Sequence, residues 1–312
     1  MKISEKFWQY LMVLPVLFFL SCDTRGPGGD RVDTPTAGTI SISVDQTFYP
    51  IVDSHVRTFT GLYKYAHVNP SYKPETQVIQ DLLQDSARLV VISRQLTPEE
   101  NQVFKNINIR PRVTKIAVDA IAFIVHPDNP NQQLTLEQAR QIFTGQTTSW
   151  KEVDSQSPLA GIRVVFDNRN SSTVRYVTDS LTQNEPLPAN SFAAESNEAL
   201  VDYVANDRNA IGVIGVNWIS DRDDTTAVNF LTKIRVVALA RTAQDEYLQP
   251  HQAYIAQRTY PLLRDVYIIS REARAGLGTG FASFVAGDKG QRIILKSGLV
   301  PATMPVRIIG VR

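Results

Sequence analysis

One cysteine, Cys22, is all the thiol chemistry that the 312 residues offer. An internal disulfide is therefore excluded, and so is a metal site built on paired thiolates. Histidine is scarce too. His55, His67, His126 and His251 are scattered, with no His/Cys/carboxylate cluster close in sequence, so neither a metal site nor a cofactor is expected. Net charge is nearly absent, at +1, which argues against a broad basic surface for nucleic acid. A small anion in a cleft stays allowed, because the local field decides there. No fixed-period repeat suggests a solenoid. No G-x-x-x-x-G-K-[ST] loop is present and no G-x-S-x-G elbow surrounds Ser171, so the chain does not read as an enzyme.

Long apolar runs are also missing. The apolar stretch Tyr10 to Leu20, behind Lys2 and Lys6, is shorter than the roughly 20 residues of a spanning helix. It suits the apolar region of a signal peptide over residues 1–21. It ends in "FFLSC", which resembles a bacterial lipobox, where cleavage precedes a cysteine that then carries a lipid. The plainer alternative is a chance cysteine beside an ordinary cleavage site. Residues 22–38, "CDTRGPGGDRVDTPTAG", are rich in Gly, Pro and Thr and read as a flexible tether. The folded part is expected from Thr39.

What is present, at 43% hydrophobic residues, is enough for two lobes of ordinary size. Thr39 to Val44 alternates as a strand does, and Tyr49 to Phe59 has helical spacing. Ala66 to Asn69 follows as a strand, Glu75 to Leu83 as a helix and Leu89 to Ile92 as a buried strand. Thr97, Pro98 and Glu100 form a capping-box start for the next helix. Val118 to Val125 is a continuous apolar strand. Thr135 to Phe143 and Asn197 to Val204 are helices, and Ala210 to Gly215, Lys233 to Ala240 and Tyr267 to Ile269 are strands. Helices at 280–286 and 289–297 close the chain, the last with Gly298 as its cap. Alternating strands and helices predict an α/β fold with mainly parallel sheets. Sheet-and-helix material returns after Tyr260, so the first lobe is read as 39–120 with 260–312 and the second as 121–259. A cleft between them is a natural ligand site.

Within the second lobe, "DNRNSST" (Asp167 to Thr173) sits between an apolar strand and an amphipathic stretch. A polar turn that opens a helix presents N–H groups and hydroxyls to an anion. Asp167 should repel one, so a compensating cation is needed. N-capping alone would also explain Ser171, Ser172 and Thr173, and a local turn bond would explain Asp167.

The motifs "DQTFYPIV", "VVISRQLTPEE", "LTLEQARQIFTGQTTSW", "DNRNSST", "AIGVIG", "YPLLRDVYI" and "GDKGQRIILKSGLVP" occur in an order that resembles the phosphate-binding proteins of ABC phosphate importers. The resemblance covers nearly all of the chain after the tether. It implies a two-lobed Venus-flytrap of the type II periplasmic-binding-protein kind, closing on one oxyanion. It carries ligand contacts onto Thr47 and Phe48, onto Glu75 and Thr76 at a helix start, and onto Ser171 and Thr173; Ser172 replaces a family Gly and is counted with them for its hydroxyl and N–H at the helix start. The family's Ser-Asp is Ser93-Arg94 here, and the Arg that opens its turn is Asp167. The resemblance then implies a reversed pair, with Arg94 facing Asp167 across the cleft. Asp167 would also accept a proton of hydrogen phosphate. Expected partners are inorganic phosphate, an ABC permease and ATPase, and a membrane reached through the lipid on Cys22. The protein is expected as a monomeric lipoprotein of the bacterial cell envelope, facing the periplasm. The alternatives are a module for another small oxyanion or organic phosphate, and an envelope phosphate sensor or adhesion component without transport.

Overall fold

The structure is a computed structural model and describes residues 33–304. The expected signal peptide, Cys22 and the tether as far as residue 32 lie outside the described residues. β1 (Ala37–Asp45) begins at Ala37 rather than Thr39, and its Ile40, Ile42 and Val44 enter the core. The stretch just before it is already attached: the Leu277 N–H donates to Asp33 Oδ1 at 2.8 Å. The helix Tyr49–Leu62 buries Ile51, Val52, His55, Val56 and Phe59 along one side. β2 (Tyr65–Lys73) is followed by the helix Glu75–Leu83, and then β3 (Leu89–Ile92), buried throughout. The capping box of Thr97 and Glu100 closes in both directions at the start of the helix Pro98–Asn106.

β4 (Arg112–Val125) is the longest strand, and it is buried continuously from Ile116. Such a run, apolar on both faces, belongs to a sheet covered on both sides. β5 (Gln133–Thr135) leads into the helix Leu136–Thr144, which starts with a second capping box, Thr135 with Gln138. Its C-cap, Gly145, has φ 77°, a left-handed conformation that suits glycine. β6 (Arg163–Phe166), the short helix Ser172–Tyr176 and β7 (Ser191–Ala193) follow. The helix Asn197–Asn206 precedes β8 (Ala210–Gly215). The apolar reading of 233–240 as one strand is corrected. Lys233 ends a helix from Thr225, and the rest divides into β9 (Arg235–Val236) and β10 (Ala238–Ala240). Val237 N–H bonds to Phe123 in the large sheet while Ala238 N–H bonds to Gln132 near β5, so the chain changes sheet between them. β11 (Leu263–Ser270), the helices Leu277–Ala286 and Asp288–Lys296, and β12 (Val300–Pro301) complete the described fold.

The large sheet runs β2-β1-β3-β11-β4-β8-β6-β7. β1 is parallel to β2 and β3, and β6 is parallel to β7 and β8. β4 joins the two parallel sets. Its Arg112–Ala120 portion pairs antiparallel with β11, and Ile121–Val125 pairs antiparallel with β8. Each half of the sheet thus brings the carboxyl ends of its parallel strands toward a common seam.

Candidate functional site

In α/β sheets, ligands bind outside the carboxyl ends of the strands. Here Asp45 ends β1, Ser93 follows β3, Asp167 follows β6 and Asn217 follows β8. These ends meet across the seam. The hydroxyls of Thr47 and Ser172 are 3.2 Å apart, from opposite halves of the sheet. Asn217 Nδ2 donates to the Thr47 carbonyl at 2.7 Å, and Arg264 Nη1 donates to Ser172 Oγ at 3.0 Å. Gly215 allows the approach: a Cβ there would stand 2.7 Å from both Arg264 Nη2 and Thr47 Cγ2.

Arg264 lies on β11 and is only 4% exposed. Its Nε donates to Asp119 Oδ2 on β4 at 2.9 Å, and its Nη2 is 2.8 Å from the same oxygen. Its guanidinium carbon also sits 4.9 Å from the centre of the Phe48 ring. A buried pair of this kind is costly to form and costlier to break, because removing one partner strands the other charge.

The turn after β6 folds onto itself. Ser171 Oγ accepts from Val174 N–H at 3.3 Å, and its hydroxyl is 2.7 Å from that of Thr173. Thr173 donates to Asp167 Oδ1 at 2.5 Å. Burial pushes Asp167 above the usual carboxylate range, against the pull of the Thr173 and Ser171 hydroxyls. Burial also pushes Asp45 up to about 7, helped by the charge of Glu75 and opposed by Arg264. Asp45 Oδ1 accepts from the Thr47 N–H at 3.1 Å, while Oδ2 has no hydrogen-bond partner among the described residues.

Glu75 opens its helix and is 2% exposed. Its Oε1 accepts from the Ser93 N–H at 3.1 Å and the Ser93 hydroxyl at 2.9 Å. Arg175, from the helix after β6, donates to Glu75 Oε2 at 2.5 Å and to Ser93 Oγ at 2.8 Å. Burial alone would raise the Glu75 carboxyl, but the Arg175 charge and these bonds hold it below the usual carboxylate range.

The structure therefore brings Thr47, Phe48, Glu75, Asp167, Ser171, Ser172 and Thr173 into the buried seam region. Thr76 is exposed on the helix start, outside it. The expected pairing of Arg94 with Asp167 is corrected. The Arg94 guanidinium forks onto Glu100 at 2.8 and 2.7 Å, with Nε 4.0 Å from Glu75 Oε2. Glu100 is held at the adjacent helix start by its capping bond, so this short-range partner forecloses a reach across the seam. Among the described residues, Arg264 and Arg175 donate into the seam, while Arg94 stands at its edge beside Glu75. Sequence reading missed Arg264 and Arg175, along with Asp45, Asp119 and Asn217. A signal existed for Asp119, since a lone carboxylate inside an apolar strand requires a partner.

A cavity of about 530 Å³ adjoins the seam and is lined in part by Tyr49, Arg57, Asn217 and Trp218. The Tyr49 and Trp218 rings stack at 5.9 Å between centres.

The family model described as the PBP superfamily domain matches residues 31–289. The phosphate-binding protein PstS of Pseudomonas aeruginosa is 23% identical over 290 residues, covering 87% of this chain and 85% of the relative. The protein of the same name from Staphylococcus saprophyticus is 23% identical, covering 92% and 88%. Among solved structures, a putative phosphate ABC transporter substrate-binding protein with bound phosphate from Clostridium perfringens superposes with a TM-score of 0.71 at 23% identity, over 85% of this chain and 100% of that one. The regulatory domain of MetR, a LysR family regulator from N. meningitidis, superposes with a TM-score of 0.53 at 14% identity, over 85% of this chain and 99% of that one. The fold is thus shared by chains with different names and roles.

Proposed function

The chain belongs to the PBP superfamily, and on that premise we propose that it captures inorganic phosphate between two lobes for an ABC importer. The observation that carries this reading is the seam, where the Thr47, Ser172 and Thr173 hydroxyls are buried together with Arg264 at the strand ends. Hydroxyls and a guanidinium are suited donors for a tetrahedral oxyanion. Asn217 Oδ1 is a buried acceptor without a partner among the described residues. It favours a ligand that brings its own proton. Hydrogen phosphate does and sulfate does not, which gives a physical basis for discrimination. The PstS relatives and the phosphate-bound structure from Clostridium perfringens support the same ligand.

The lobes are assigned as 39–120 with 260–312 and as 121–259, joined through β4 and the chain before β11. Phosphate would be delivered to a permease driven by an ATPase on other chains. The sequence "FFLSC" supports a lipid on Cys22 that holds the monomer at the periplasmic side of an envelope membrane. Calorimetric titration of the purified protein with phosphate, sulfate and a small organic phosphate tests the ligand. Saturable heat with phosphate and little with sulfate is expected. No heat with phosphate at millimolar levels would end this reading.

A further inference from the structure

Every oxygen of the Glu75 carboxylate is taken, and the donors come from both halves of the sheet. The Ser93 N–H and hydroxyl meet Oε1 at 3.1 and 2.9 Å. The Arg175 fork meets Oε2 through Nε at 2.5 Å and Oε1 through Nη2 at 3.4 Å. Arg94 Nε stands 4.0 Å from Oε2. A backbone N–H, a hydroxyl and a guanidinium fork, converging on two oxygens in a buried place, form the donor set that a free oxyanion requires. In this molecule the chain supplies that anion itself.

We propose that Glu75 is a tethered stand-in for the anion. Its carboxylate holds the donors of Ser93 and Arg175, and a phosphate ion must take them from it, so residue 75 sets the affinity of the site. This rests on the phosphate reading above and adds the residue that limits it. Three features favour the tethered group over a free one. Glu75 is the first residue of the helix Glu75–Leu83, where the helix dipole favours a negative charge. Its attachment to the chain gives it a high effective concentration beside its donors. Its bond to Arg175 also ties the two halves of the sheet together without a ligand.

Removing the carboxylate leaves the Ser93 N–H without its acceptor and Arg175 with only Asp179 and the Ser93 hydroxyl, and donors freed in this way gain from an incoming anion. The test is titration with inorganic phosphate of the wild-type chain, Glu75→Gln, Glu75→Ser, and Glu75→Ser combined with Arg175→Gln. Glu75→Ser is expected to bind phosphate at least about tenfold more tightly than wild type, as the gain of one charge-assisted contact implies. Glu75→Gln, which keeps the shape but weakens the hold on Arg175, falls between them. The melting midpoint of Glu75→Ser drops in buffer and recovers with phosphate. Adding Arg175→Gln abolishes that recovery, which a purely structural role for Glu75 would not explain.

If wild type binds and both single variants bind equally or more weakly, the stand-in is refuted and the phosphate reading survives. If wild type does not bind but Glu75→Ser does, the stand-in is upheld and phosphate capture by the natural chain is refuted. Failure of all four proteins to bind refutes both. Should Glu75→Ser not fold, the isosteric Glu75→Gln decides by the same comparison with wild type.

Discussion

At the scale of single residues, the seam concentrates charge that has left water. Asp45, Glu75, Asp119 and Asp167 are all buried; Arg264 pairs with Asp119, and Arg175, with Arg94 farther off, faces Glu75. Asp45 has the least support, with one oxygen bonded to the Thr47 N–H and the other without a partner among the described residues. Its carboxyl is raised from 3.8 to about 7, first by burial and then by the Glu75 charge. The fold therefore favours protonated Asp45. The stability this gives is complete below the unfolded value and is lost as pH rises through about 7. Asp45→Asn keeps an acceptor for Thr47 and removes the titration. The variant is expected to be more stable than wild type by roughly 1–3 kcal/mol near pH 8, and close to wild type near pH 4. Urea unfolding at the two pH values measures this, and an equal difference at both would contradict it. The buried pair gives a second expectation. Arg264→Met strands Asp119, and the loss of stability should be about 3–5 kcal/mol by the same method. A loss within the scatter of surface substitutions would mean that Asp119 is not held by Arg264 in solution.

At the scale of elements, the N-terminal stretch and the C-terminal helices are linked. The helix Leu277–Ala286 has Gly276 at its N-cap and no side-chain bond from that residue. Glu272 accepts from the Gly278 and Thr279 N–H groups, and Asp33 accepts from the Leu277 N–H and also pairs with Arg88 at 3.3 Å. Asp33→Ala should therefore lower stability by about 1 kcal/mol, the usual effect of losing an N-cap acceptor. A Cβ on Gly280 would fall 1.8 Å from the Pro35 carbonyl oxygen, so Gly280→Ala should release this segment. Faster proteolytic trimming ahead of β1 would report it, and an unchanged trimming rate would show that the contact is dispensable. These links were not legible in the sequence, because "DTPTAG" has the composition of a tether and its partner helix lies far along the chain. Elements with strong local signals were legible. The helix Glu75–Leu83 and the strands Leu89–Ile92 and Ala210–Gly215 follow their apolar patterns residue for residue. The division of residues 233–240 between two sheets was not, since an apolar run does not say which neighbour accepts its hydrogen bonds. The site shows the same limit. The hydroxyl turn and Thr47 carry recognisable motifs, but Arg175 on a short helix reads as a solvated charge, and its partner Glu75 lies 100 residues away.

At the scale of the whole molecule, two parallel sheet halves meet through β4, and polar side chains stitch the seam. Attachment to a membrane is a separate property of the N-terminus. Among the described residues no helix is long and apolar enough to cross a membrane. If the lipid on Cys22 is the anchor, Cys22→Ser should move the protein from the membrane fraction to the soluble one. Retention of that variant on membranes after a high-salt wash would show that something else holds it. The most direct measurement of the central proposal is calorimetric titration of the wild-type protein with phosphate and, separately, sulfate at neutral pH. One saturable phosphate site is expected, with weak or undetectable sulfate binding and a melting midpoint that rises with phosphate, since a ligand at 100 times its dissociation constant adds about 2.7 kcal/mol to the folded state. Absence of both heat and midpoint shift with phosphate at millimolar levels, or equal affinity for sulfate, would contradict it.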